Sequence, residues 1–262
     1  MEVVICSDER QVGEIAADRV IDWLFGLPTP VLGLATGSSP IALYEELARR
    51  AVLGDIDFSH AIGFALDEYV GIDPEHELSY KQTIRRTVVE PLRMNPARVH
   101  VPDGSAEDLA AAAAEYDRAI KDAGGVDVQV LGIGSNGHIG FNEPTSSFAS
   151  RTRVKTLTQR TRDDNARFFA EGEQVPTHCV TQGLGTIMEA KHLVMVVTGE
   201  HKADAVEAMV EGPVSAMCPA SILQFHPSAL VVLDEAAASK LHYADYFRHI
   251  AASKPDVAEQ GR

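Results

Sequence analysis

The chain has 262 residues, 45% of them hydrophobic, and its 38 acidic against 23 basic side chains set a formal charge of −15. That charge repels nucleic-acid phosphates and anionic membrane surfaces, and no basic arm or aromatic-basic platform offsets it, so neither is expected as a partner. No apolar run approaches the length of a membrane span, the N-terminus lacks the basic and long apolar regions of a secretion signal, and Cys6, Cys179 and Cys218 show no C-x-x-C spacing, which suits reduced thiols in a cytoplasm rather than a disulfide framework or zinc site.

Apolar runs rich in Val, Ile and Leu alternate with helix-period segments along the chain, the pattern of an α/β fold. The expectation is a single domain over residues 1–262, with a mostly parallel, doubly wound, Rossmann-like sheet and helices on both faces. Met1 to Asp8 reads as a first strand. Asp8 then caps a helix in which Val12, Ile15, Ala16, Val20, Trp23 and Leu24 recur at helical spacing until Pro28 and Pro30. Val31 to Ala35 forms a second strand, and Thr36-Gly37-Ser38-Ser39-Pro40 leads into a helix carrying Ile41, Tyr44, Leu47 and Ala48, with Pro40 at its first position. A third strand near Ile62 to Leu66 delivers Asp67 at its C-terminal end. Ser79 and Gln82 match a capping box ahead of a helix to about Glu90, and Ser105 opens an Ala-rich helix that Gly124-Gly125 ends. Val126 to Val130, Leu193 to Val197 and Ala229 to Leu233 read as further strands, the last helix as Ala236 to Ile250, and the tail after Ser253 as frayed.

Leu131 to Pro144, Leu-Gly-Ile-Gly-Ser-Asn-Gly-His-Ile-Gly-Phe-Asn-Glu-Pro, is the densest chemistry in the chain. It lies where a buried parallel strand empties into its loop, the place where ligands of such sheets bind. Gly132, Gly134 and Gly137 fit G-x-G-x-x-G, but the dinucleotide form opens a helix in the first βα turn, and here more than a hundred residues precede it and Pro144 follows. A serine nucleophile elbow around Ser135 would need glycine where Ile133 stands. A plain glycine turn with a surface histidine remains as an alternative, though it leaves the company of His138 and Glu143 unexplained.

Three other segments carry site-type residues. Thr36 to Pro40 joins a strand to a helix N-terminus, where free backbone N–H groups favour a phosphate; an ordinary capped turn is the competing reading. Thr198-Gly199-Glu200-His201-Lys202 repeats the strand-Thr-Gly beginning and adds a cation, unless Lys202 is a solvated helix residue. Asp67-Glu68 places carboxylates at a strand end, where one can serve as a base or Asp67 can simply cap a turn.

Leu66-Asp67-Glu68-Tyr69-Val70-Gly71, Gly137 to Pro144 and Ser150-Arg151-Thr152-Arg153-Val154-Lys155-Thr156 closely resemble segments of the glucosamine-6-phosphate deaminases, and the likeness extends to about residue 250. The resemblance implies a ketol isomerisation of α-glucosamine 6-phosphate with hydrolytic loss of ammonia to give fructose 6-phosphate, in amino-sugar catabolism and without metal or organic cofactor. It implies Asp67 as the base that takes the C2 proton and returns it at C1, and His138 as the ring-opening base, oriented by Asn136 and Glu143. Some members carry Asp at the position of Asn136; an amide orients a histidine but is not an ionised partner. Gly37, Ser38, Ser39, Arg167 and Lys202 are implied to hold the phosphate. Ser146, Arg153, Lys155 and Thr156 resemble the N-acetylglucosamine 6-phosphate activator site of the family's hexameric members, so a regulated homo-oligomer is expected, with a solvated basic edge as the competing reading. Two rival functions are a 6-phosphogluconolactonase-like hydrolase on a related fold and a non-catalytic sugar-phosphate sensor; the sensor would normally carry an N-terminal helix-turn-helix, where this chain starts with a strand.

Overall fold

The computed structural model describes residues 1–170 and 172–253, so the tail read as frayed lies outside the described residues. Seven strands form one wholly parallel sheet: β1 (Glu2–Cys6), β2 (Val31–Leu34), β3 (Ile62–Ala65), β5 (Val99–His100), β6 (Val128–Leu131), β9 (His192–Val197) and β10 (Ala229–Asp234), in the order β1-β10-β9-β6-β2-β3-β5. β2 and β6 are buried along their whole length, and β9 and β10 nearly so, as strands covered on both faces must be. The cover comes from α1 (Glu9–Leu24), α2 (Ile41–Leu53), α4 (Leu109–Asp122), α7 (Ala203–Val210) and α8 (Ala244–Ala252), with the short α3 (Tyr80–Ile84), α5 (Gln159–Ala166) and α6 (Leu184–Met188) nearer the strand ends. The architecture is the single-domain, doubly wound α/β fold anticipated from the alternating pattern.

β2 and β6 lie side by side, but the chain leaving β2 runs toward β3 and the chain leaving β6 runs toward β9. Their carboxyl-end loops therefore part, and the crevice between them is the topological switch point. The loop after β2 is Thr36 to Pro40, and the loop after β6 is the glycine turn from Gly132.

A second sheet, β4-β8-β7, is antiparallel and joins β4 (Asp67–Tyr69), β8 (His178–Thr181) and β7 (Arg153–Thr156). The chain crosses between sheets at one residue: the Leu66 N–H donates to Leu34 O of the main sheet, while its carbonyl accepts from Gln182 N at 2.8 Å. Asp67 thus begins a second strand, opposite Thr181, as well as following the third. Arg153 and Lys155 share one face of β7, as their spacing requires.

Several helix ends differ from the sequence reading. Ser105 is not the cap of α4; Asp108 accepts from Ala111 N at 2.9 Å, while the Ser105 hydroxyl turns to Asp103. Ser79 does cap α3, but the Gln82 side chain bonds Pro74 O and Glu75 in place of closing the box, and after Ile84 the helix widens to a π turn over Arg85–Val89. Pro40 stands at the N-cap of α2, one residue before the first helical position. The last helix is short, because the Asp234 carboxylate accepts from Ala237 N and from Gly199 N, tying the chain after β10 into turns.

α1 and α2 cross closely enough that a Cβ on Gly13 would stand 2.6 Å from Ala42 O. Gly13→Ala should therefore lower stability by about 1–3 kcal/mol through backbone displacement. Urea unfolding checks this, and an unchanged midpoint would show that the crossing relaxes freely.

Candidate active site

One cleft at the switch point is lined by Thr36 to Pro40, Leu66-Asp67, Gly132 to Ser135, His138, Gly140-Phe141, Thr161, Asp164-Asn165, Arg167-Phe168 and His201-Lys202. The structure thus brings together Asp67, His138, Gly37, Ser38, Ser39, Arg167 and Lys202, which lie far apart in sequence.

At one end, Gly37 takes φ +97°, a left-handed conformation open to glycine, and the loop runs into the N-terminus of α2. Two cations face it. Burial lowers the Lys202 pKa, as do Arg167 and Arg160, while Asp164 raises it. Arg167 lies against the Phe168 ring, 4.8 Å from its centroid. The loop backbone, a helix N-terminus and two cations in the cleft of an acidic protein are an arrangement that can hold an anion.

The adjacent carboxylates Asp67 and Glu68 have different work. Glu68 Oε1 accepts from Tyr69 N and Tyr80 N at 2.9 and 3.0 Å, and Oε2 from Lys81 N at 3.0 Å. It therefore anchors the start of α3. Asp67 faces the cleft, is 5% exposed, and has one side-chain partner, Thr181 Oγ1 at 3.4 Å. Burial, and next the charge of Glu68, push its pKa up to about 8 against weaker lowering by Thr181 and the Phe141 N–H. A carboxyl titrating there is a basic one held near working pH.

The glycine turn builds the other arm. His138 Nδ1 lies 2.7 Å from Asn136 Oδ1, and Asn136 Nδ2 donates to Glu143 Oε2 at 2.7 Å. The carboxylate can only accept, so the amide NH₂ points to Glu143 and the amide oxygen to His138; Nδ1 must then donate, leaving Nε2 as the free acceptor of the neutral ring. This tautomer is assigned from the hydrogen-bond network. The imidazole lies over Gly134, where any Cβ would collide with it, and Gly137 at φ +82° closes the turn by donating to Gly134 O. Glu143 Oε1 accepts from Thr161 Oγ1 at 2.5 Å and from Thr158 N and Oγ1 at 3.2 Å. Burial alone would raise the Glu143 pKa, but the adjoining His138 ring, with Nδ1 3.7 Å from Oε2, and hydrogen bonds from Thr161 and Asn136 carry it down to about 2.

A family model described as glucosamine-6-phosphate isomerases/6-phosphogluconolactonase matches residues 7–232. The glucosamine-6-phosphate deaminase of Cutibacterium acnes is 61% identical over 258 residues, spanning 98% of this chain and 99% of that protein. The glucosamine-6-phosphate deaminase of Streptomyces coelicolor is 57% identical, with 98% of each chain covered. The chain belongs to the glucosamine-6-phosphate deaminase family. A solved monomeric glucosamine-6-phosphate deaminase superposes with TM-score 0.87 at 38% identity, covering 91% of this chain and 99% of that one. The 6-phosphogluconolactonase of Leishmania guyanensis, at 21% identity and TM-score 0.73 over 92% and 98% of the two chains, shares the fold. Members of this family act on sugar phosphates, which agrees with a small-molecule sugar phosphate as ligand.

Within this family frame, the cleft also holds residues that the sequence reading passed over. Thr161, Asp164 and Asn165 come from α5; Asp164 accepts from Ser135 Oγ at 2.9 Å and Asn165 donates to Tyr69 OH at 3.0 Å. Their one sequence signal is Thr158 as a helix cap, since it accepts from Thr161 N ahead of a segment with no apolar period. Ser146, Arg153, Lys155 and Thr156 do not line the cleft. Ser146 follows Thr145, itself at φ +75°, and the other three lie on β7.

The Asp67 shift has a direct consequence for stability. Unfolded, the carboxyl ionises near its ordinary 3.8; folded, near 8. The native state therefore holds a proton that the unfolded chain has lost, and this stabilisation is full below the lower value and gone above the higher. Asp67→Asn cannot ionise, so relative to wild type it should gain stability as pH rises from about 4 to about 8, by on the order of a few kcal/mol. Parallel thermal melts across that range check it; a difference between the two proteins that does not change with pH would place the Asp67 pKa in the ordinary range.

Proposed function

We propose that this chain converts α-D-glucosamine 6-phosphate and water to D-fructose 6-phosphate and ammonia, acting as one catalytic domain over residues 1–262 in the cytoplasm. The observation that carries the reading is a buried, basic carboxylate, Asp67, facing the same cleft as a histidine whose Nε2 is freed by the Asn136–Glu143 relay. Among the described residues no helix is long and apolar enough to cross a membrane.

Phosphate binds the backbone of Gly37, Ser38 and Ser39 at the start of α2, with Arg167 and Lys202 neutralising it. His138 Nε2 takes the proton of the C1 hydroxyl as the C1–O5 bond breaks and returns it to O5, opening the pyranose. Asp67, ionised, then removes the C2 proton of the aldehyde while the substrate ammonium gives up a proton to O1, so that an enolamine forms, and Asp67 delivers its proton to C1. The C2 imine that results adds water and expels ammonia, leaving the ketone. A substrate ammonium beside Asp67 favours its ionised form, so binding itself prepares the base. Asn136 holds the tautomer of His138, and Glu143 supplies the negative charge one step further out.

A lactonase also needs a sugar-phosphate cleft, but ester hydrolysis has no use for a base that moves a proton between adjacent carbons. Ammonia release from glucosamine 6-phosphate, set against lactone hydrolysis, separates the two. Asp67→Asn should lower kcat about 10²- to 10⁴-fold, the range of a positioned acid–base group, with sugar-phosphate affinity kept. Near-normal turnover would remove Asp67 from the mechanism. Lys202→Ala should raise the Kd for glucosamine 6-phosphate about 10- to 100-fold and erase most discrimination against glucosamine, as loss of a charged hydrogen bond does; unchanged affinity would make Lys202 a bystander.

The same reading extends to a homo-oligomer activated by N-acetylglucosamine 6-phosphate at Ser146, Arg153, Lys155 and Thr156. Its support is that the Ser146 hydroxyl is buried with no hydrogen-bond partner among the described residues and that Arg153 and Lys155 share a face. An effector at such a site acts by binding one quaternary state better than another. Substrate saturation with and without that sugar phosphate, beside light scattering, tests it: sigmoidal curves moved left by effector are expected, and a monomer with unmoved hyperbolic curves overturns it.

A further inference from the structure

The partners of Glu143 come from two parts of the chain. Oε2 is taken by Asn136 on the glycine turn, and Oε1 by the cap and first turn of α5. α5 is polar nearly throughout, and Thr161, 2% exposed, is its buried residue. The proton order there is set by the donors. Thr161 N donates to Thr158 Oγ1 at 3.2 Å, which leaves the one Thr158 hydroxyl proton for Glu143 Oε1 at 3.2 Å. The Thr161 hydroxyl proton is then directed at Glu143 Oε1, which can only accept. The same helix sends Asp164 to Ser135 and ends at Arg167 in the phosphate end of the cleft.

We propose that Thr161 is a positioning residue for ring opening: its hydroxyl pins one oxygen of Glu143, so that the other is presented to Asn136 and the His138 imidazole is held with Nε2 open to the C1 hydroxyl. The proposal rests on the deaminase reading and names how that site is kept in register. It has a consequence for specificity. The helix that grips the phosphate through Arg167 is the helix that clamps Glu143, so phosphate contacts hold the relay as well as the ligand. Binding energy from a remote, unreacting group is thereby turned toward the reacting centre.

The test measures ammonia release by wild type, Thr161→Val, Thr161→Ser, His138→Gln and the Thr161→Val/His138→Gln double variant. Affinity is followed with the open-chain 2-amino-2-deoxyhexitol 6-phosphate, which has no ring to open. Thr161→Val, which keeps shape and loses the hydroxyl, should lower kcat about 10- to 100-fold with the hexitol phosphate Kd within about threefold, and Thr161→Ser should recover most of the loss. In the His138→Gln background the Thr161→Val loss should largely vanish, because both act in one step. Turnover by Thr161→Val within about twofold of wild type, or a loss that persists in full without His138, overturns the positioning role. If Thr161→Val unfolds, Thr161→Ala is measured in its place with the same outcomes. A wild-type protein that releases no ammonia overturns the deaminase reading itself, which keeps the two failures distinct.

Discussion

The Glu143 carboxylate is the point on which the cleft depends. It is 3% exposed, an environment that would ordinarily force a carboxyl to stay protonated, yet the adjoining His138 ring and the hydrogen-bond donors around it hold it ionised. Those donors come from Asn136 on its own turn and from Thr158 and Thr161 on the next helix. A buried anion satisfied from two segments fixes both, since withdrawing either leaves charge without a partner in a low dielectric. That gives α5, which has little apolar surface to bury, a definite seat over the cleft. It also fixes the direction of every proton between Glu143 and the imidazole.

Asp67 shows the opposite outcome for the same functional group. Both carboxylates are buried, Asp67 in the cleft wall and Glu143 behind His138, but one hydroxyl at 3.4 Å and one backbone N–H are too little to offset desolvation at Asp67, and its pKa rises where that of Glu143 falls. Pushing two like groups apart in this way suits them to the different roles proposed above, Glu143 as a charged orienting group and Asp67 as a base near neutral pH. Glu68, next in sequence, takes neither role because three backbone N–H groups occupy its oxygens.

Much of this was legible in the chain. The β2 and β6 runs, the Asp8 cap of α1, the Ser79 cap of α3 and the carboxyl-end position of both site loops all follow from periodicity and turn chemistry, which act locally. Asp67 and His138 stand out for the same reason: they sit where strands end. What could not be read is what depends on distant contact. β4 is three residues long and pairs with β8 more than a hundred residues away, so nothing local distinguishes it from loop. Thr161 looks like any helix-surface threonine until Glu143 is beside it. The Ser105 cap failed because Asp108, three residues on, competes for the same helix start and its carboxylate is the stronger acceptor.

The fold alone leaves the chemistry open. A 6-phosphogluconolactonase at 21% identity has the same layout, and a switch-point cleft with a helix N-terminus will hold a sugar phosphate whatever reaction follows. The reaction is decided by the side chains that line the rest of the cleft. Here the second sheet leaves the first at Leu66 and so carries Asp67 out of the strand ladder into the cleft, opposite Thr181. Had the chain continued in β3, the next side chains would have followed the main sheet's pleat and its burial between helices. The one-residue transfer between sheets is thus what places a carboxyl in a dry wall of the cleft, and the dryness of that wall is what raises its pKa into the range the proposed base needs.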